Sequence, residues 1–135
     1  MSKLSTFKIT GKFFLSSAWA LVILVACIIP VNKVHKSFLF DIKHLDKYFH
    51  FIMYLAFTVI LYIDFNKYKH ALKNKYLILV LITVITLSWG IIIELVQYYF
   101  IISRKGSISD ILVNVIGIIT GIVLVLTTRK YILKI

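Results

Sequence analysis

A chain of 135 residues that is 61% hydrophobic, with a mean hydropathy of +0.96, is greasier than a soluble domain, where about 45–50% is usual; one membrane domain spanning 1–135 is expected at this length. The net charge of +11 and pI near 9.8 would point to nucleic acid on a soluble protein, but the Lys and Arg residues flank apolar runs, where they anchor to headgroups, and nucleic-acid binding is excluded because no basic stripe on a soluble face can be drawn. The single cysteine, Cys27, rules out an intramolecular disulfide and a Cys-based zinc site.

The first apolar run covers about 13–30 and follows Lys3, Lys8 and Lys12. Its basic start and the Leu24-Val25-Ala26-Cys27 box resemble a lipoprotein signal. The run is long for a signal-peptide core, so a retained membrane helix is expected. The second run, about 48–65, opens with Asp46 and Lys47 and then His50. Asp46 and His50 are four apart and share a helical face, and Tyr54 and Thr58 continue that stripe. Asp46 alone is equally well read as a favourable charge at the positive end of the helix dipole. That reading does not account for His50 one turn deeper.

The third run, about 76–102, is rich in β-branched residues and would favour a strand in water. In lipid over such a length only a helix satisfies its own backbone. Thr83, Thr86, Gly90, Glu94 and Gln97 recur at helical period, with Gly90 admitting a neighbouring backbone one turn below Glu94. Glu94 can be read as an interhelical hydrogen bond or an acid kept neutral by burial, but an acid in a membrane helix is functional by default. After the polar turn 103–107, which carries Arg104, the fourth run covers about 108–128. Asp110, Asn114, Gly117 and Gly121 lie on one stripe of it, and the Gly117/Gly121 GxxxG pattern marks a close packing face.

About 20 apolar residues cross a bilayer core of about 30 Å, and each run qualifies. The fold class expected is all-α, a transmembrane four-helix bundle. Ten basic residues (Lys3, Lys8, Lys12, Lys67, Lys69, Lys73, Lys75, Arg129, Lys130, Lys134) fall on one side, against six (Lys33, Lys36, Lys43, Lys47, Arg104, Lys105) on the other. The positive-inside rule then puts both termini in the cytoplasm. With that topology, Asp46, Lys47, His50, Glu94, Gln97, Arg104, Asp110 and Asn114 gather at the outer ends of the helices as one polar cluster. An ionised group in mid-bilayer costs about 2.5–3.5 kcal/mol, so such residues persist mainly when they face one another, water or a ligand. Three neighbouring acids cannot all be ionised without cations. Arg104, always protonated, is therefore expected to fold back and bond Asp110 or Glu94. One histidine and three carboxylates could hold a hard or borderline cation. No HExxH-like spacing supports it, so neither a metal nor a cofactor is assigned. His35, His44 and His70 fall in loops, Ser103, Ser107 and Ser109 lack a nucleophile motif, and no Gly-rich phosphate loop is present.

Three blocks together are specific. Asp46-Lys47-x-x-His50-Phe51-x-x-Tyr54, then Glu94-x-x-Gln97 and Arg104, then Ser109-Asp110-x-x-x-Asn114-x-x-Gly117-x-x-x-Gly121 resemble the VanZ-like family of small bacterial membrane proteins. The resemblance runs from Asp46 to Gly121, with the first helix and Pro30 in place before it. The chain is short for the pattern, with no added soluble domain expected, and its basic loop between Lys33 and Lys47 is of moderate length. The family takes its name from a protein associated with low-level resistance to teicoplanin in Gram-positive bacteria, and its biochemical activity is not settled. The resemblance implies a multi-pass protein of the bacterial cytoplasmic (inner) membrane, part of the cell envelope, with an outward-facing polar site. It supplies no reaction.

Three functions fit these residues. The site binds an amphiphilic or lipid-linked molecule, with Arg104 and Lys47 pairing with an anionic headgroup. Alternatively it is an enzyme on such a substrate, with Glu94 or Asp110 as general base and His50 as its partner or as acid. The third reading is an accessory subunit of a larger membrane complex. Membrane lipids are partners in each case.

Overall fold

The computed structural model describes residues 13–29, 44–67, 74–101 and 106–132. They form four helices: α1 (Phe14–Ile28), α2 (Leu45–Asn66), α3 (Lys75–Phe100) and α4 (Ile108–Ile132). The boundaries have local causes. Ile29 is extended, with φ −60° and ψ 121°, as the residue before a proline is biased to be, and Pro30 therefore ends α1. Asn74 caps α3, its side-chain oxygen accepting the Tyr76 N–H at 3.0 Å and the Leu77 N–H at 3.4 Å. His44, in the left-handed region at φ 67°, turns the chain into α2.

At 1.5 Å per residue, α2, α3 and α4 are roughly 33, 39 and 37 Å long, and all three are long and apolar enough to cross a membrane. The 15-residue α1 is not, at roughly 22 Å. The first run was expected to span like the others; a stop at Pro30 and a start fixed at Phe14 by Asp64 leave it a turn or more short. Exposed aromatic residues collect at both ends of the longer helices: Tyr48, Phe49, Tyr98 and Tyr99 at one, Tyr76 and Tyr131 at the other. Such rings suit the headgroup level of a bilayer, and the Ile, Val and Leu between them face outward as they do toward acyl chains.

The helices alternate in direction, yet the pair in most extensive contact is α2 with α4, which run the same way. The glycine stripe explains it. A Cβ on Gly117 would stand 2.7 Å from the Phe51 carbonyl oxygen, and one on Gly121 would stand 2.8 Å from Thr58 Cβ. Two backbones approach so closely only because these positions carry no side chain. α2 and α3 each touch all three other helices, α2 most extensively. Below the polar end lies an apolar core containing Ile23, Phe57, Leu61, Ile82, Ile93, Ile118 and Val125.

Candidate functional site

Where α1 ends, α2 begins, α3 ends and α4 begins, four polar side chains from three helices meet. His50, on the second turn of α2, is 4% exposed, as is Glu94 of α3; Asp110 in the first turn of α4 is 8% exposed and Asn114, one turn on, 1%. His50 Nδ1 lies 3.1 Å from Asn114 Oδ1 and 3.8 Å from Glu94 Oε1. Glu94 Oε2 accepts the Ser107 N–H at 3.1 Å, so the backbone entering α4 fixes how the carboxylate is turned. One ligating atom each from His50, Glu94 and Asp110 lies within 4.8 Å of the other two.

The floor of the cluster is Tyr54, fully buried one turn below His50 and with its ring nearly parallel to the imidazole (9° between planes). Gly90 makes room there: a Cβ at that position would stand 3.3 Å from both Asn114 Nδ2 and Tyr54 Cε1. Among the described residues, neither Tyr54 OH nor Asn114 Nδ2 has a hydrogen-bond partner. Buried polar atoms are nearly always paired, so two open positions beside the same His–carboxylate group are unusual.

Other residues of the expected cluster lie elsewhere. Asp46 is exposed in the first turn of α2, about 6 Å along the axis from His50, and does not join the buried group. Lys47 is half-buried beside it. Gln97 is buried, but its Nε2 donates to the Cys27 carbonyl at 3.0 Å. Three residues past Glu94 is 300° of helix rotation, which turns Gln97 toward α1 and makes it a tie between α1 and α3. Arg104 and its expected bond to Asp110 or Glu94 lie outside the described residues. The stripe's hydroxyls are taken up locally: Thr58, Thr83 and Thr86 donate to carbonyls of their own helices, Tyr54, Leu79 and Ile82, at 2.8–2.9 Å.

Sequence reasoning passed over Asp64, a carboxylate with no exposure at the opposite end of α2. Its Oδ2 accepts the Ser16 N–H at 3.0 Å and its Oδ1 accepts from Lys67 Nζ at 2.9 Å. Ser16 is the third residue of α1, one of the first donors that a helix cannot satisfy itself. Asp64 thus caps α1 from a different helix. The available signal was an acid inside an apolar run, three residues before a lysine.

The chain also has an apolar groove of about 510 Å³ between α1, α2 and α3, lined by Ala20, Phe57, Leu61, Ile85 and Trp89 among others. No curated protein and no solved structure matches the chain. The family model described as VanZ/LLP1 matches residues 2–130, a span that contains all four helices almost entirely and every residue of the buried cluster. With spanning helices and that match, the chain is a membrane protein and belongs to the VanZ/LLP1 family.

Proposed function

We propose that this protein sits in the bacterial cytoplasmic membrane and uses the His50, Glu94, Asp110 and Asn114 cluster to bind an anionic amphiphilic or lipid-linked molecule of the cell envelope. The observation that carries this reading is the pair of buried donors at the cluster, Asn114 Nδ2 and Tyr54 OH, without partners among the described residues. Both suit the oxygens of a phosphate or carboxylate headgroup. Lys47, half-buried in the first turn of α2, supplies positive charge at the same end of the bundle. The reading is tested on protein purified in mild detergent by extracting and weighing the bound amphiphiles. An anionic species retained by the wild type and reduced at least tenfold in Asn114→Ala is expected, since a lost hydrogen bond to a charged partner is worth about 1.5–3 kcal/mol. Equal lipid content in the two proteins would reject the site.

A second reading is favoured by the imidazole lying between a carboxylate at 3.8 Å and an amide at 3.1 Å. That arrangement suits an acid–base pair acting on the bound molecule. Glu94→Gln separates the two readings. An enzyme keeps its amphiphile bound and loses activity in the cell, whereas a binding protein that holds the headgroup through Asn114 and Tyr54 keeps both. The family resemblance makes teicoplanin susceptibility a phenotype worth scoring in that strain.

Both termini are proposed to be cytoplasmic, on the basic-residue bias, so that the site faces outward. An impermeant thiol reagent added outside should then modify Ile108→Cys, at an exposed position where α4 begins, and spare Asn74→Cys at the other end. The reverse pattern would turn the site to the cytoplasm.

A further inference from the structure

The buried cluster holds two carboxylates and an imidazole drawn from three helices. Three donor atoms no more than 4.8 Å apart share a central point at most about 2.8 Å from each, the separation divided by √3. Zinc lies about 2.0–2.2 Å from imidazole nitrogen and carboxylate oxygen, and calcium about 2.3–2.6 Å from oxygen. The donors need to close by well under an ångström each, within reach of small side-chain rotations. Glu94 is already oriented for this. The Ser107 N–H holds Oε2 at 3.1 Å, and Oε1 is the oxygen turned toward His50. Asn114 joins the group through its Oδ1, 3.1 Å from His50 Nδ1. Its buried Nδ2 has no hydrogen-bond partner among the described residues, so a donor for a bound water or anion oxygen is available on the same side chain.

We infer that His50, Glu94 and Asp110 bind a single divalent metal cation. One imidazole with two carboxylates and no thiolate suits zinc, manganese or ferrous iron. The mixed set disfavours cuprous copper, which wants sulfur, and magnesium, which wants oxygen alone. Two carboxylates match the charge of one dication, as a buried cation site requires. Three protein ligands leave a coordination position open. The identity of the ligand at that position rests on the reading above: a dication held there adds an attraction for an anionic headgroup to the donors already beside it. The cation site itself rests on the geometry of the three side chains.

The probe is Co²⁺, whose visible absorption reports its own ligands, titrated into the full chain after chelator treatment, in detergent and without added lipid. Saturation at one equivalent and displacement by Zn²⁺ are expected. Glu94→Gln and Asp110→Asn should each weaken binding at least tenfold. Asp46→Asn, which removes an exposed acid from the same end of the bundle, should leave it within about twofold, as expected for a screened surface charge. A wild-type protein with no saturable absorption up to about 1 mM, an affinity of only about −4 kcal/mol, overturns the site whether or not any variant folds. Equal weakening by Asp46→Asn overturns it too, since that signals only general attraction to acidic charge. Because no amphiphile is in the titration, the cation site and the headgroup reading fail separately.

Discussion

Gly117→Leu is expected to abolish a stably folded protein, while Gly117→Ala leaves a weakened one. The Cβ of either residue would stand 2.7 Å from the Phe51 carbonyl oxygen and 3.3 Å from the Leu55 nitrogen. These are backbone atoms of α2, so they cannot swing aside as a side-chain end does. The two helices must separate, and with them the pair of elements in most extensive contact. Overpacking by a single methyl typically costs about 1–3 kcal/mol, partly offset by the better helix propensity of alanine, about 1 kcal/mol. Leucine adds three more carbons at the same point. Gly90→Ala provides the contrast, because its Cβ would meet Asn114 Nδ2 and Tyr54 Cε1 at 3.3 Å, both side-chain atoms able to give by a few tenths of an ångström. Fluorescence-detected gel filtration and thermal melts in detergent should rank Gly90→Ala above Gly117→Ala, with Gly117→Leu aggregated or undetectable. A monodisperse Gly117→Leu protein as stable as wild type would mean that α2 and α4 do not pack through this face.

Asp64→Leu is expected to lower stability by about 2–4 kcal/mol and to release α1 before the rest of the bundle. The carboxylate has no solvent exposure and holds the Ser16 N–H from α1 together with Lys67 from its own helix. Hydrogen bonds to charged groups contribute about 1.5–3 kcal/mol, and an orphaned buried donor costs about 1–3. The carboxylate also sits at the positive end of the α1 dipole. Lys67 is half exposed and returns to water without difficulty, so the loss concentrates on Ser16. Among the described residues two hydrogen bonds between α1 and other helices survive, Trp19 Nε1 to the Met53 carbonyl at 3.1 Å and Gln97 Nε2 to the Cys27 carbonyl. Both lie beyond Ser16, and the N-terminal end is left with the edge-to-face contact of Phe13 with Phe65, so α1 should loosen from that end. Asp64→Asn keeps an acceptor for Ser16 and should lose less than half as much. Hydrogen exchange confined to residues 14–20 in Asp64→Leu, with α2 to α4 protected, would carry the prediction. Uniform loss of protection, or none, would contradict it.

The sequence by itself determined the four helices, because apolar runs of that length in lipid have only one way to satisfy their backbone. Helical period also put His50, Glu94, Asp110 and Asn114 on definite faces at a shared depth, and the glycines of the fourth helix on the same face as its polar pair. The ordered blocks between Asp46 and Gly121 were enough for the resemblance to VanZ-like proteins. Periodicity within a helix cannot say which neighbour covers a face, and that is where tertiary structure decided. Packing of α2 against α4 brings Asn114 onto His50 and leaves Asp46, on nearly the same stripe, one turn too far out to be covered. The 60° between Glu94 and Gln97 looked minor in sequence, yet it sends one residue toward α4 and the other to α1. Asp64 drew no attention because its partner, the third amide of α1, lies 48 residues away. A bare backbone donor at a helix start carries no side-chain signature, and only the fold could bring the two together.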